Sequence, residues 1–210
     1  MKRPQPNTYE DALKLAWETL RERDPAEIAS DGLLELDEDG RVHIPFLGDR
    51  YCVDLETQKV LFENGSDVYP FLSVLLLHYL VGVSEAPLTG EWIPFREFEG
   101  GAAYIGSFSD RSLAPLRKAF GDRPELLVTA GEPVGAEPLD MGDVGVRVPV
   151  FPKVPLAVIL WRGDDEFPPE VNILFDKTAN SILRTEDLAI CGALTVSKLR
   201  KNAEKIRKME

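Results

Sequence analysis

The stretch Arg41-Val42-His43-Ile44-Pro45-Phe46-Leu47-Gly48-Asp49-Arg50-Tyr51-Cys52-Val53-Asp54-Leu55 decides the fold class. Val42, Ile44 and Phe46 alternate with His43 and Pro45, and Tyr51, Val53 and Leu55 alternate with Cys52 and Asp54. A period of two places successive side chains on opposite faces of a strand. Leu47-Gly48-Asp49 reads as the turn between the two runs. Leu33–Leu36, across the Asp39-Gly40 turn, and Lys59–Phe62 complete the pattern. It predicts an antiparallel meander of short strands with one covered face.

Working outward, the period changes on both sides. Upstream, Asn7 or Thr8 opens a helix, and Asn7 with Glu10 has capping-box spacing. Tyr9, Leu13, Ala16, Trp17 and Leu20 share one helical face, and Pro25 stops or restarts the helix. Downstream, Val68–Val83 is apolar except for Ser73 and His78. It is short for a bilayer span of about 20 residues, so it reads as a buried helix. Pro70 suits its first turn and Gly82 its end.

Beyond it, Gly101–Ser109 reads as a tightly packed turn. Residues 109–120 and 122–131 read as two helices separated at Gly121. Val144–Val150, Val154–Trp161 and Val171–Phe175 are β-branched runs, the last two joined as a hairpin by the loop Arg162–Glu170. Thr185-Glu186-Asp187 caps a final helix running to about Arg207, acidic at its start and basic at its end. The expectation is a single α+β domain over residues 1–210. It has a β-meander near the N-terminus and a second β-hairpin near the C-terminus. These pack with a buried apolar helix and amphipathic terminal helices.

The chain has 210 residues, with 36 Asp and Glu against 24 Lys and Arg, a formal charge of −12. The charge is uneven. Lys198–Glu210 holds six basic and two acidic residues, so the other 197 residues carry −16. An acidic body argues against nucleic-acid binding, which needs clustered cations. It argues equally against an anionic membrane surface. Cys52 and Cys191 carry no CxxC pattern and read as two buried thiols. Met1–Asn7 is polar, without the apolar core of a signal peptide, and the default location is cytoplasmic.

Several segments in order carry a resemblance. They are Leu76-Leu77-His78-Tyr79-Leu80, Gly90-Glu91-Trp92 with Phe95-Arg96-Glu97, the Gly100-Gly101 pair, and Trp161-Arg162-Gly163-Asp164-Asp165-Glu166-Phe167-Pro168-Pro169. Ile173-Leu174-Phe175-Asp176 and Thr185-Glu186-Asp187-Leu188 follow. Together, over about residues 9–200, they resemble the domain-of-unknown-function family 3786. The resemblance implies an uncharacterised protein of anaerobic bacteria or archaea, a family in which some members carry a cysteine-rich iron–sulfur domain. With two cysteines this chain lacks such a cluster motif, so it reads as a stand-alone partner of such a protein.

Three functional readings follow. The first is a non-catalytic binding or accessory module of an anaerobic metallocofactor system, taking a tetrapyrrole such as a corrinoid (cobalamin) or haem. His78 is its candidate axial metal ligand, because an imidazole on a buried helix suits iron or cobalt and Gly82 leaves space for a flat ring. Trp92, Phe95, Arg96 and Trp161 are its candidate lining. Against this stands a plain histidine making one hydrogen bond at a helix edge, an Arg96 in an ordinary salt bridge, and an outward-facing His43 at the surface.

The second reading is an acidic interaction module that docks on a redox or iron–sulfur partner. Asp164, Asp165, Glu166 and Phe167 form its contact, stiffened by Pro168-Pro169. The third is a metal-assisted hydrolase using Asp164, Glu166 and Asp176. No nucleophile elbow, phosphate loop or dinucleotide fingerprint is present, so catalysis is the lesser reading.

Overall fold

The computed structural model describes residues 8–209. Asn7, and with it the expected capping box, lies outside them. The chain is α+β and divides into two compact units, one ending at Pro87 and the next beginning at Leu88.

The first unit contains helix α1 (Thr8–Leu20), helix α2 (Pro25–Gly32), strands β1 (Glu35–Leu36), β2 (Arg41–Phe46), β3 (Asp49–Asp54) and β4 (Lys59–Phe62), and helix α3 (Pro70–Gly82). The strands form an antiparallel sheet in the order β1-β2-β3-β4, as the alternation requires. Val42 faces Val53 and Ile44 faces Tyr51, all four buried. Phe46 pairs with Asp49, so Leu47 and Gly48 form a two-residue loop, both with positive φ. Such a loop matches the strand twist but strains a leucine. Leu47 is buried, and the apolar burial offsets that strain.

Leu33 was expected to open the first strand. It is instead the left-handed C-cap of α2, donating its N–H to Ala29 and Ser30 carbonyls. The restart at Pro25 is real, with Asp24 accepting from the Ala26 N–H. Helix α3 is apolar on every side and buried from Leu72 through Leu77. Its exposed-end problem is solved by one residue. Arg23 donates to the carbonyls of Leu80, Val81 and Val83 at 2.8, 3.2 and 3.2 Å, and pairs with Asp31. These are carbonyls at the end of a helix, which has no backbone donors of its own for them.

The second unit contains β5 (Trp92–Pro94), a 3-10 turn (Phe95–Glu97), helix α4 (Gly101–Phe108), a π turn (Ser109–Leu113), helices α5 (Ala114–Phe120) and α6 (Leu126–Gly131), and β6 (Glu137–Pro138). It continues with β7 (Val144–Phe151), β8 (Val154–Trp161), β9 (Glu170–Asp176), α7 (Ala179–Ile182) and α8 (Thr185–Arg207). The sheet is antiparallel in the order β5-β9-β8-β7-β6, and its two edge strands were not legible as strands. Both are too short for periodicity to register.

Two expectations are corrected here. Gly101–Ser109 is helix rather than turn, continuous through the π turn with α5. The glycine pair starts that helix. Gly100 sits at φ +75°, and a Cβ on Gly101 would lie 2.2 Å from the Phe95 carbonyl oxygen, so only glycine lets the chain turn so tightly there. Thr185 does not cap α8. Arg184 holds the N-cap position, and the Thr185 hydroxyl donates to the Glu99 carbonyl at 2.7 Å, tying α8 to the chain just before α4.

Candidate functional site

The loop between β8 and β9 is the most built surface feature among the residues singled out from the sequence. Its frame comes from the strand ends. Trp161 pairs with Glu170, which closes β8 against β9 and makes Glu170 a strand residue rather than a loop residue. From there Arg162 turns away, its N–H donating to the Asp143 carboxylate at 2.7 Å and its guanidinium pairing with Glu125. The Asp164 Oδ1 accepts from the N–H groups of Glu166 and Phe167 at 2.8 and 2.7 Å, and the Asp164 N–H donates to the Phe167 carbonyl at 2.9 Å. An aspartate that closes its own turn in this way fixes the backbone. Backbone donation from Phe167 and Glu166 holds the Asp164 carboxyl below its ordinary range.

Glycines set the loop's seat. A Cβ on Gly163 would lie 2.7 Å from the Pro169 nitrogen, and one on Gly121 would lie 2.8 Å from the Pro169 ring. Pro169 therefore rests on the turn after α5, and the loop stands beside it over a hollow of about 450 Å³. The hollow is bordered by Asp122, Asp164, Asp165 and Glu166 against the single cation Arg162, with Phe167 on its rim. Phe167 is 67% exposed. Asp122, Pro124 and Glu125 were not anticipated. They lie about 40 residues away in the chain, and only the packing of α5 and α6 brings them to the loop.

The residues proposed to line a tetrapyrrole site are not gathered. Phe95 is buried in a ring cluster, stacked on Phe108 at 4.3 Å and edge-on to Phe98 at 6.4 Å, with Phe175 alongside. It is a core residue. Trp92 pairs with Asp176 and Trp161 with Glu170, at opposite ends of β9. Six residue steps separate those ends, about 20 Å at the rise of a strand. Arg96 is exposed on the 3-10 turn, with no ion pair among the described residues. His78 belongs to the first unit, half-buried on α3 between the fully buried Leu77 and Tyr79. Trp92, Phe95, Arg96 and Trp161 thus surround no common opening, and as a set they do not fit a corrinoid or haem.

The carboxylates named for metal-assisted hydrolysis are separated in the same way. Asp176 ends β9, whereas Asp164 and Glu166 precede its start. Asp176 is 1% exposed and accepts five hydrogen bonds. The donors are the N–H and hydroxyl of Thr89, the N–H of Gly90, and the N–H and hydroxyl of Thr178. Burial pushes its pKa up, but the bonds from Thr178, Gly90 and Thr89 outweigh burial and hold it below the ordinary carboxylate range. It is a structural anchor whose lone pairs are already used. Among the described residues no group of three histidine, cysteine or acidic side chains is placed to hold a metal ion.

His43 faces outward, as its strand position predicts, yet it is only half-exposed. Its Nε2 lies 3.0 Å from the Asp37 carboxylate. That ring and the Arg41 N–H hold the Asp37 carboxyl below its ordinary range. Cys191 is buried and Cys52 half-buried, both as free thiols, and burial raises the pKa of each. Neither is an activated nucleophile. Among the described residues no helix is long and apolar enough to cross a membrane.

Compared with known proteins, residues 24–198 match a family model described as Domain of unknown function (DUF3786). No curated protein and no solved structure matches the chain.

Proposed function

The chain belongs to the domain-of-unknown-function family DUF3786, and from that premise we propose that it is an acidic protein–protein interaction module, docking through the loop Arg162–Pro169 on a basic face of a partner protein. The observation that carries the reading is the exposed Phe167 held by a self-closed turn among Asp164, Asp165 and Glu166. A pre-ordered loop loses little conformational entropy on binding. An aromatic anchor supplies contact area and the surrounding carboxylates supply steering and register. The hollow beside it, with four carboxylates to one guanidinium, suits a lysine or arginine side chain from the partner. A redox or iron–sulfur protein with a basic face is the first partner class to try, since the family resemblance implies one.

The test uses a fluorescein-labelled peptide containing arginine and leucine, titrated against the full chain. Asp164→Ala/Asp165→Ala/Glu166→Ala together weaken binding by about tenfold or more, and Phe167→Ala alone weakens it about fivefold without changing charge. Removing three exposed acids elsewhere (Glu10, Glu22 and Glu27 to alanine) leaves binding within about twofold. Equal losses in the loop variant and this control overturn the reading, as does full binding by Phe167→Ala.

A further inference from the structure

The last three turns of α8 carry a second charged surface, opposite in sign to the hairpin loop. Lys198, Lys201, Lys205 and Lys208 recur at spacings of three and four residues. At about 100° per residue they fall within a stripe about 80° wide and about 15 Å long on one helix face. Arg200 and Arg207 fall on the opposite side, where the Arg207 guanidinium donates to the Ala119 carbonyl at 2.6 Å. The four lysines border a hollow of about 340 Å³ together with Asn202 and Glu204. Asn202 is 7% exposed, and its Nδ2 donates to the Ala130 carbonyl of α6 at 2.9 Å, which fixes this stretch of α8 against its neighbour.

The helix dipole does not account for the stripe. It favours cations within the last turn only. Lys201 and Lys198 stand about one and a half and two and a half turns before Arg207. Nor does a dipole ask for a single face.

We propose that this lysine face docks an acidic segment of a protein partner. Carboxylates at the same three- and four-residue spacing on an opposing helix meet the lysines in register, each pair adding steering and orientation. Nucleic acid is the poorer match. The hollow's border holds a carboxylate, Glu204, and no aromatic ring on which a base stacks. The rest of the chain also carries −16. This surface is independent of the hairpin loop. With both, the chain has two docking poles of opposite sign.

The probe is a labelled helical peptide of about 16 residues with glutamates at i, i+3, i+7 and i+10, titrated against the full chain at about 50 mM salt. Lys201→Glu/Lys205→Glu weakens binding by about tenfold or more. Lys14→Glu/Lys59→Glu, which changes charge equally elsewhere, and the Asp164/Asp165/Glu166 triple alanine variant leave it within about twofold or tighten it. Circular dichroism checks the fold, and Lys201→Gln/Lys205→Gln replaces the reversal if that variant is unfolded. No binding by the unaltered chain overturns the proposal. So do equal losses in the α8 and control variants, and so does tighter binding of a 20-base-pair duplex than of the peptide.

Discussion

Strands β2 and β8 are both apolar and both lie inside antiparallel sheets, yet they are buried differently. Along β2, buried Val42, Ile44 and Phe46 alternate with half-buried or exposed His43 and Pro45. Along β8, every residue from Val154 to Leu160 is buried, and only Trp161 at its end emerges. Their compositions state the difference. Val154-Pro155-Leu156-Ala157-Val158-Ile159-Leu160 has no polar residue to face water, so it needs cover on both faces. Strand β8 is the middle of its five-stranded sheet, between β7 and β9. Alternation marks a sheet with a wet face, and unbroken apolarity marks a sheet between layers.

The sharpest way to break this comparison is to place a charge on each face of β8. Val158→Asp and Ile159→Asp lie on opposite faces, and both should unfold the second unit, since neither site offers the carboxylate a partner or water. Urea unfolding followed through Trp92 and Trp161 fluorescence reads this. Native-like unfolding of either variant would show that one face of β8 is open. Phe175→Ala comes next. Its ring touches Phe95, Phe98 and Phe108, and the cavity should cost about 3–5 kcal/mol in the same assay.

Asp176→Ala should cost about 2–3 kcal/mol, because it strands the donors of Thr89, Gly90 and Thr178. The group also sets a pH dependence. Its folded pKa lies below its unfolded one, so its stabilisation is complete above the unfolded carboxylate value of about 3.9 and is lost as pH falls through the lower folded value. The unaltered chain should therefore lose stability in acid below about pH 4 more steeply than Asp176→Asn, as acid titrations by circular dichroism would show. The smallest effect belongs to the wet face of β2. His43→Gln, which loses the Asp37 contact on a half-exposed face, should change stability by less than about 1 kcal/mol. A larger loss would mean that this face is not wet.

The comparison also explains what could be read in advance. The strands β2, β3 and β8 and the apolar helix α3 were legible because each has either a clear period of two or an apolar run with few or no polar residues. Helix α4 was not. Ala102-Ala103-Tyr104-Ile105-Gly106-Ser107 is exposed along its whole length, so it has no amphipathic stripe to betray a helix. Nothing in the chain around Arg23, just past α1, marks its role, because the carbonyls it closes belong to α3, about 57 residues further on. The acidic loop was legible as a stiff, charged hairpin. Its wall was not, since Asp122 and Glu125 are ordinary turn residues until α5 and α6 bring them beside Arg162.

By itself the sequence determined the local periods, and with them the α+β class, the covered faces and the two charge poles. These depend on which residues are near one another along the chain. The tertiary structure decided which side chains meet. It buried Phe95 in a ring cluster, used Asp176 as an anchor, and set Trp92 and Trp161 at opposite ends of a strand. Such meetings join residues far apart in the chain, and no local pattern encodes them. The function read from the site therefore rests on the loop that stayed exposed rather than on the residues whose chemistry looked richest.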